Sequence, residues 1–366
     1  MNIPFVDLKS QYQSIKADID QAIASVVRDT AFVGGKPVNT FAKQYAEAMG
    51  VQHCIPVANG TDAIYISLKM AGIGPGDEVI TVANSWISTS ETISQTGATP
   101  VFVDIDDYYT IDVDAIEAKL TSNTKAIIPV HLYGQMADMP SLMELATRHN
   151  LMIIEDCAQA HLATFDDKLA GTTGLAGTFS FYPGKNLGAY GDAGCIITND
   201  DSFAEACLRY ANHGALVKHQ HTIEGINSRL DGIQAAVLSA KLPHLEAWSQ
   251  GRIDNAARYN ELLAPIEQIT TPKVRSNCRH VYHLYVVRTP QRDELRTFLS
   301  ERGIATGIHY PTPLPLLPAY ERLGHVEGDF PMASARANEI LSLPMFPELT
   351  EDAQQYITDA IAEFFS

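Results

Sequence analysis

No stretch of this 366-residue sequence approaches the ~18 consecutive apolar residues of a membrane span. A transmembrane helix is therefore not expected. The opening MNIPFVDLKSQYQ lacks a basic start followed by an apolar core, so no secretory leader is expected there. Cysteine is scarce: Cys54, Cys157, Cys195, Cys207 and Cys278 make an odd five with no C-x-x-C spacing. A disulfide framework and a thiolate zinc site are both disfavoured, and a reducing, cytosolic location is expected. Positive charge is short as well. The 26 Lys and Arg face 43 Asp and Glu, a formal net charge of −17. Nucleic acid and anionic membrane call for the opposite potential, so neither is expected as a partner. One anionic small molecule in a locally basic pocket stays compatible with that charge. Internal repeats, low-complexity tracts and a strand–GxGxxG–helix fingerprint are also missing, and the last absence removes a nicotinamide dehydrogenase of the usual kind.

What is present is a globular composition, 46% hydrophobic and 19% charged, long enough for two domains. Short apolar runs predict strands at Glu78–Val82, Pro100–Asp104, Ala126–Leu132, Leu151–Asp156, Thr178–Phe181 and Cys195–Thr198. Amphipathic stretches such as Asp62–Met70 and Met139–His149 predict helices between them. Strands apolar on both faces, alternating with helices, predict an α/β fold with a mostly parallel sheet covered on both sides. Beyond Leu242–Arg252 the pattern changes. A strand is predicted in His280–Arg288, with helices at Arg292–Arg302, Met332–Leu341 and Glu351–Phe364. The expected division is a large domain, 1–245, and a smaller C-terminal α+β domain, 246–366.

Three segments carry chemistry. In LMIIEDCAQ an apolar strand ends in two carboxylates, placing Asp156 at a carboxyl end, the edge where open α/β sheets bind ligands. An acid that merely caps the next helix would look the same. In TFSFYPGKNLGAYGDAG, Lys185 follows an aromatic strand inside a Gly-rich loop, whose glycines at 184, 188, 191 and 194 imply close backbone approach or positive φ. A lone surface lysine on a turn is the ordinary alternative. In VANGTDAI a short apolar run breaks at Asn59-Gly60 and a helix opens, exposing amides that suit a phosphate, with Thr61 adding a hydroxyl. Any capped helix shares this look. Asp62 would oppose an anion unless its carboxylate points away.

Together these segments resemble the aspartate aminotransferase-like fold, fold type I of the pyridoxal-phosphate enzymes. More narrowly, they resemble the DegT/DnrJ/EryC1/StrS family of nucleotide-sugar aminotransferases. The resemblance runs from IPFVDLKSQY through NGTDAI, GPGDEVIT, PVFVDID, IIPVHLYGQMADM, IEDCAQAH and SFYPGKNLGAYGDAG. It continues through NSRLDGIQAAVL, VYHLYVVR, GIATGIHYPTPLPLLPAY and LSLPMFPELT. It implies that Lys185 links covalently to pyridoxal 5'-phosphate and later carries protons. It further implies that Asp156 pairs with the pyridine nitrogen and that Gln159 lies near the phenolic oxygen. Trp86 would stack on the cofactor, and Gly60, Thr61 and Ser180 would hold the phosphate.

Asn227 matches an asparagine that reaches the phosphate from a neighbouring subunit, which implies a homodimer with shared sites. Arg229, with Lys218 nearby, is a candidate for the sugar-nucleotide phosphates, or a structural arginine. Tyr182, His309 and Tyr310 are expected in the substrate pocket. The H-x5-H-x-H series at His213, His219 and His221 lacks a completing ligand, so no metal is expected. The chain departs from the family pattern at Leu162, usually a small glycine, at FDDK, and at GDAG.

The implied reaction moves an amino group, with glutamate as the expected donor, to a keto group of a nucleotide-linked deoxysugar. The NSRLDGIQAAVL and LYGQMADM variants look like members acting at C3 of a dTDP-3-keto-6-deoxyhexose. Amination at C4 and a UDP-linked 3-keto sugar are the alternatives. A relative that dehydrates instead carries histidine where this chain has Lys185. A non-catalytic regulatory protein is the alternative of another class. Surface polysaccharide or a glycosylated metabolite is the implied destination.

Overall fold

The apolar runs of the first two thirds become one seven-stranded sheet in a computed structural model that describes residues 1–366. Three helices come first: α1 (Leu8–Ser14), α2 (Lys16–Arg28) and α3 (Gly35–Met49). Strands and helices then alternate as β1 (His53–Val57), α4 (Gly60–Met70), β2 (Glu78–Val82), α5 (Ser88–Thr96), β3 (Thr99–Val103), β4 (Thr124–Ile128), α6 (Met139–His149) and β5 (Met152–Asp156). A hairpin of β6 (Thr164–Phe165) and β7 (Lys168–Leu169) precedes β8 (Ala176–Ser180), β9 (Gly194–Thr198), α7 (Asp201–Ala211) and α8 (Gly232–Lys241). The rest is α9 (Leu245–Leu263), β10 (Cys278–Arg279), β11 (Tyr285–Arg288), α10 (Arg292–Glu301), α11 (Pro331–Glu339), β12 (Ile340–Leu343) and α12 (Glu351–Phe364).

The sheet order is β1-β9-β8-β5-β4-β2-β3, and β9 runs antiparallel to both neighbours while the other pairings are parallel. Side chains alternate across the sheet, and both faces are buried, as a parallel sheet between helices requires. Ile127, Ile153 and Phe179 pack in one cluster with Phe41 and Tyr45 of α3 and Leu142 of α6. Ile128 and Ile154 pack in another with Ile64 and Leu68 of α4. The reversed β9 has a consequence for function. The carboxyl ends of β1, β5 and β8 and the start of β9 meet at one edge, where Gly194 registers with both Val57 and Ser180.

Tyr259, Tyr285, Leu295, Leu343 and Ile357 form a separate apolar cluster in the C-terminal part. Ile3 joins it, because the first residues pair with the C-terminal part: the Ile3 N–H donates to the Gly303 carbonyl (2.8 Å) and the Ile3 carbonyl accepts from the Ala305 N–H (3.0 Å). No helix is long and apolar enough to cross a membrane.

Several element limits differ from expectation. The strand expected at Ala126–Leu132 stops at Ile128; Pro129 offers no N–H, and Leu132–Gly134 makes a short 3-10 turn with Tyr133 at φ 61°. Of His280–Arg288 only Tyr285–Arg288 pairs, because His280 folds onto the Tyr282 ring (centroids 3.9 Å apart) and its Nδ1 accepts from Tyr282 N–H at 2.9 Å. The helix expected at Met332–Leu341 ends at Glu339, and Ile340–Leu343 is the strand β12. Pairing with β11 and full burial outweigh the helical spacing there. Strand β1 contains Pro56, which interrupts the strand pattern, and has no counterpart among the expected strands. Leu162 adopts φ 63°, a left-handed conformation in which glycine is the easier residue. In FDDK, Asp166 and Asp167 take φ 46° and 61° as the two-residue turn of the β6–β7 hairpin.

Candidate active site

Asp156 is the last residue of β5 and is buried at the shared sheet edge. Its carboxylate accepts from the Thr89 hydroxyl (2.8 Å) and the Ala158 N–H (3.1 Å). Burial pushes its pKa up, opposed by those two donors and by the positive charge of Lys185. Lone pairs on both oxygens remain for a third donor. The adjacent Glu155 points elsewhere and is fully satisfied by His131 and by the N–H groups of Gly171, Thr173 and Gly174, each at 2.8 Å. His131 Nδ1 accepts from Ala137 N–H (3.1 Å), so its Nε2–H is the donor to Glu155. His131, Glu155 and Cys157 lie close together, but these bonds explain the pair as structural, and burial holds the Cys157 thiol protonated.

Lys185 stands in a loop closed by its own N–H to Tyr182 (2.8 Å), by Ala189 N–H to Phe181 (2.8 Å) and by Phe181 N–H to Ala193 (2.8 Å). Asn186 braces it from the side, donating to Val281 (3.1 Å) and accepting from His283 Nδ1 (3.2 Å). Lys185 keeps some exposed area because it faces the cavity, yet protein atoms surround it deeply. That burial lowers its pKa to about 8, against the opposing pull of Asp156. Of the loop glycines, Gly188 and Gly194 are crowded by backbone and Gly191 by the Gln234 side chain, whereas Gly184 is not crowded.

The third piece is the start of α4. Asn59 caps it, accepting from Asp62 N–H at 2.8 Å. Gly60 lies so close to β8 that a Cβ there would sit 2.7 Å from the Ser180 Cβ. Thr61 Oγ1 and Ser88 Oγ are 2.7 Å apart. Asp62 does turn away: its carboxylate accepts from the Ser228 hydroxyl at 2.6 Å. The Asp62 carboxylate is thus engaged elsewhere, and the helix start stands beside two hydroxyl side chains at 61 and 180.

These pieces wall one cavity of about 610 Å³, a size suited to a cofactor or small substrate. Ten of the twelve residues singled out in the sequence line it: Gly60, Thr61, Asp156, Ser180 and Lys185, together with Trp86, Gln159, Tyr182, His309 and Tyr310. Trp86 is 59% exposed and tilted against Tyr310, so it is not a core tryptophan. Gln159 Oε1 accepts from Tyr133 N–H (2.7 Å), which turns its amide nitrogen toward the Tyr310 oxygen (3.3 Å). That leaves the Tyr310 proton free for an acceptor in the cavity, and burial keeps the phenol protonated. His309 stacks on Phe5, its Nδ1 meets Ser342 Oγ at 2.8 Å, and burial lowers its pKa to about 4, so it is neutral.

Asn227 and Arg229 do not line this cavity; both are exposed. His221 Nδ1 bonds the His213 carbonyl at 2.8 Å in an exposed loop. Sequence reasoning missed Thr89, Ser85, His161 and the wall formed by Phe5 and Val6. His161 accepts from Tyr45 (2.9 Å) and donates to the Ser180 carbonyl (3.0 Å), and burial lowers its pKa to about 3. Its presence in AQAH was visible, but its partner was not.

The donor set fits pyridoxal 5'-phosphate: a lysine with lowered pKa, a carboxylate with open lone pairs, and a helix start where only glycine leaves room for Ser180. Comparison with known proteins agrees. Residues 13–362 match the DegT/DnrJ/EryC1/StrS aminotransferase family, whose cofactor is pyridoxal phosphate. A "pleiotropic regulatory protein" of Geobacillus stearothermophilus is 50% identical, covering 100% of this chain and 99% of its own. A dTDP-3-amino-3,4,6-trideoxy-alpha-D-glucose transaminase of Streptomyces venezuelae is 42% identical, covering 99% and 96%. Among solved structures, S. venezuelae DesV in complex with a ketimine intermediate superposes with a TM-score of 0.97 at 42% identity, covering 100% and 99%.

Proposed function

The chain belongs to the DegT/DnrJ/EryC1/StrS aminotransferase family, and from that premise we propose that it aminates C3 of a dTDP-linked 3-keto-6-deoxyhexose, with L-glutamate as donor. The observation that carries the reading is the meeting of Lys185, Asp156 and the Gly60–Thr61–Ser180 cradle in one cavity. The similarity to a dTDP-3-amino-sugar transaminase supports the choice of carbon and nucleotide.

Bound pyridoxal phosphate supplies a carbonyl carbon that links amines covalently and a ring that takes up electrons when a neighbouring proton leaves. In this reading the α4 amides, Thr61 and Ser180 bind its phosphate. Asp156 would accept from the pyridine N–H and keep that nitrogen charged, Trp86 would stack on the ring, and Gln159 would offer its amide to the phenolic oxygen. Lys185 Nζ, partly neutral because burial lowers its pKa, would hold the cofactor covalently and, when not so engaged, would be the base that takes a proton from the donor's amino-bearing carbon and gives it back. Neutral His309 and protonated Tyr310 supply polar contacts for the sugar, and Tyr182 lies at the mouth.

We assign Asn227 to the phosphate of a second subunit's site, with Arg229 toward the nucleotide phosphates, and hence a homodimer. Exposure of both residues outside their own chain's cavity supports this. A cytoplasmic location and a boundary near residue 246 belong to the same reading, the latter supported by the separate C-terminal cluster. The regulatory name of one relative favours a second, non-catalytic reading, but a complete set of catalytic groups in one cavity argues for chemistry. The test is a panel of 3-keto and 4-keto sugars, dTDP- and UDP-linked, incubated with glutamate and analysed by NMR. A 3-amino dTDP sugar is expected. A 4-amino product or a UDP-only preference replaces the substrate assignment, and no amination of any member overturns the enzyme reading.

A further inference from the structure

The mechanism above leaves one fully buried hydroxyl at the site without a task. Thr89 lies in the first turn of α5, three residues after Trp86, and its N–H donates to the Trp86 carbonyl at 3.2 Å. The same turn therefore brings both an indole and a hydroxyl to the cavity wall. Thr89 Oγ1 donates to Asp156 Oδ2 at 2.8 Å. A hydroxyl has one proton, so with Thr89 donating to an ionised carboxylate, the Ser85 hydroxyl 2.9 Å away must donate to Thr89. Ser85 itself lines the cavity. The order of donation is Ser85 to Thr89 to Asp156.

We infer that Thr89, oriented by Ser85, is a positioning residue that fixes the Asp156 carboxylate and holds it ionised for the cofactor's ring nitrogen. The inference rests on the pyridoxal-phosphate reading. Its physical basis is independent of family. Asp156 is buried, so its charge is unfavourable unless donors reach it, and the fold provides two: one backbone N–H from Ala158 and this hydroxyl. The two donors take different oxygens, which settles the rotation of the carboxylate and leaves a lone pair on each for the ring N–H. Removing the Thr89 proton leaves one donor and frees the rotation, so the neutral acid gains ground. A neutral acid holds a pyridinium less well, and the ring becomes a weaker electron sink.

The test compares wild type, Thr89→Val and Thr89→Ser, each reconstituted with pyridoxal phosphate labelled with ¹⁵N in the ring. Valine keeps the shape and drops the hydroxyl, whereas serine restores the donor. In wild type the ring-nitrogen signal is expected to stay at its protonated position from pH 6 to about 9. In Thr89→Val, loss of a charge-assisted hydrogen bond is expected to lower its apparent pKa by about one unit or more, and kcat by roughly tenfold, while KM for glutamate changes little. Thr89→Ser is expected to return both toward wild type. If Thr89→Val does not fold, Thr89→Ala is read the same way. A hydroxyl-free variant that binds cofactor and keeps the wild-type nitrogen signal overturns the inference alone. Wild-type protein that takes up no pyridoxal phosphate overturns the underlying reading and the inference with it.

Discussion

A buried amine and a buried carboxylate face each other at the site with opposite needs. In the proposed chemistry Lys185 must lose its proton to react, and Asp156 must keep its charge to hold a pyridinium. Burial serves the first and opposes the second, so the fold adds donors only to Asp156. With its pKa lowered to about 8, roughly one Lys185 amine in ten is neutral at pH 7, against about one in 3,000 at the ordinary lysine value. The rate of cofactor attachment to the cofactor-free protein, followed by absorbance, is therefore expected to rise about tenfold per pH unit below 8 and to level above it. A rate still climbing at pH 10 would show an unshifted lysine. The same shift affects folding. Between pH 8 and 10.5 the unfolded chain binds more protons at this position than the folded one, so stability of the cofactor-free protein rises with pH across that window. Lys241, buried and also lowered to about 8, contributes in the same sense, so Lys185→Met is expected to flatten only part of the rise in urea midpoint. Asp156→Asn should still bind cofactor but lose more than about 10²-fold in turnover, because an amide holds no pyridinium charge. Turnover near wild type in that variant would remove the role assigned to Asp156.

At the scale of elements, the site depends on how closely β8 and α4 approach. Gly60 is the contact, and Gly60→Ala must push either the helix start or Ser180 aside. Cofactor affinity is expected to fall about tenfold or more, with the protein still folded by circular dichroism; unchanged affinity would place the phosphate elsewhere. Why some of this was legible in the sequence follows from residue chemistry. Asp156 after an apolar strand and Lys185 in a glycine-rich loop each have an ordinary reading alone, and they stand out only in company with the Asn59-Gly60-Thr61 helix start. Thr89 was not legible, because a threonine in STSETISQT reads as an ordinary polar helix residue until the fold brings β5 beside it. His161 was visible within a motif but acts through Ser180 and Tyr45, partners 19 and 116 residues away. The first two residues of β12 fall within the expected helix because the partner strand β11 lies more than fifty residues earlier, and pairing is a non-local property. Asp62 shows the reverse case. The sequence raised the objection that its charge faces a phosphate, and the Ser228 contact answers it.

At the scale of the whole molecule, the proposed function sets an anionic nucleotide sugar against a net charge of −17, and the exposed Arg229 is the local cation that reading assigns to the nucleotide phosphates. The N-terminal residues tie the two parts together: Ile3 joins the C-terminal cluster while Phe5 and Val6 wall the cavity. The dimer is the larger claim. If Asn227 serves a neighbouring site, mixing inactive Lys185→Ala with inactive Asn227→Ala protein should restore part of the activity. A hybrid dimer then holds one site with neither defect. Verified hybrids that stay inactive would return Asn227 to a role within its own chain.

The proposed chemistry depends on one covalent bond, between Lys185 and the cofactor. Protein incubated with pyridoxal phosphate, reduced with borohydride, digested and analysed by mass spectrometry is expected to carry a phosphopyridoxyl group on Lys185, and Lys185→Ala to carry none there. Absence of the adduct, or its placement on another lysine such as Lys241, would remove Lys185 as the attachment point.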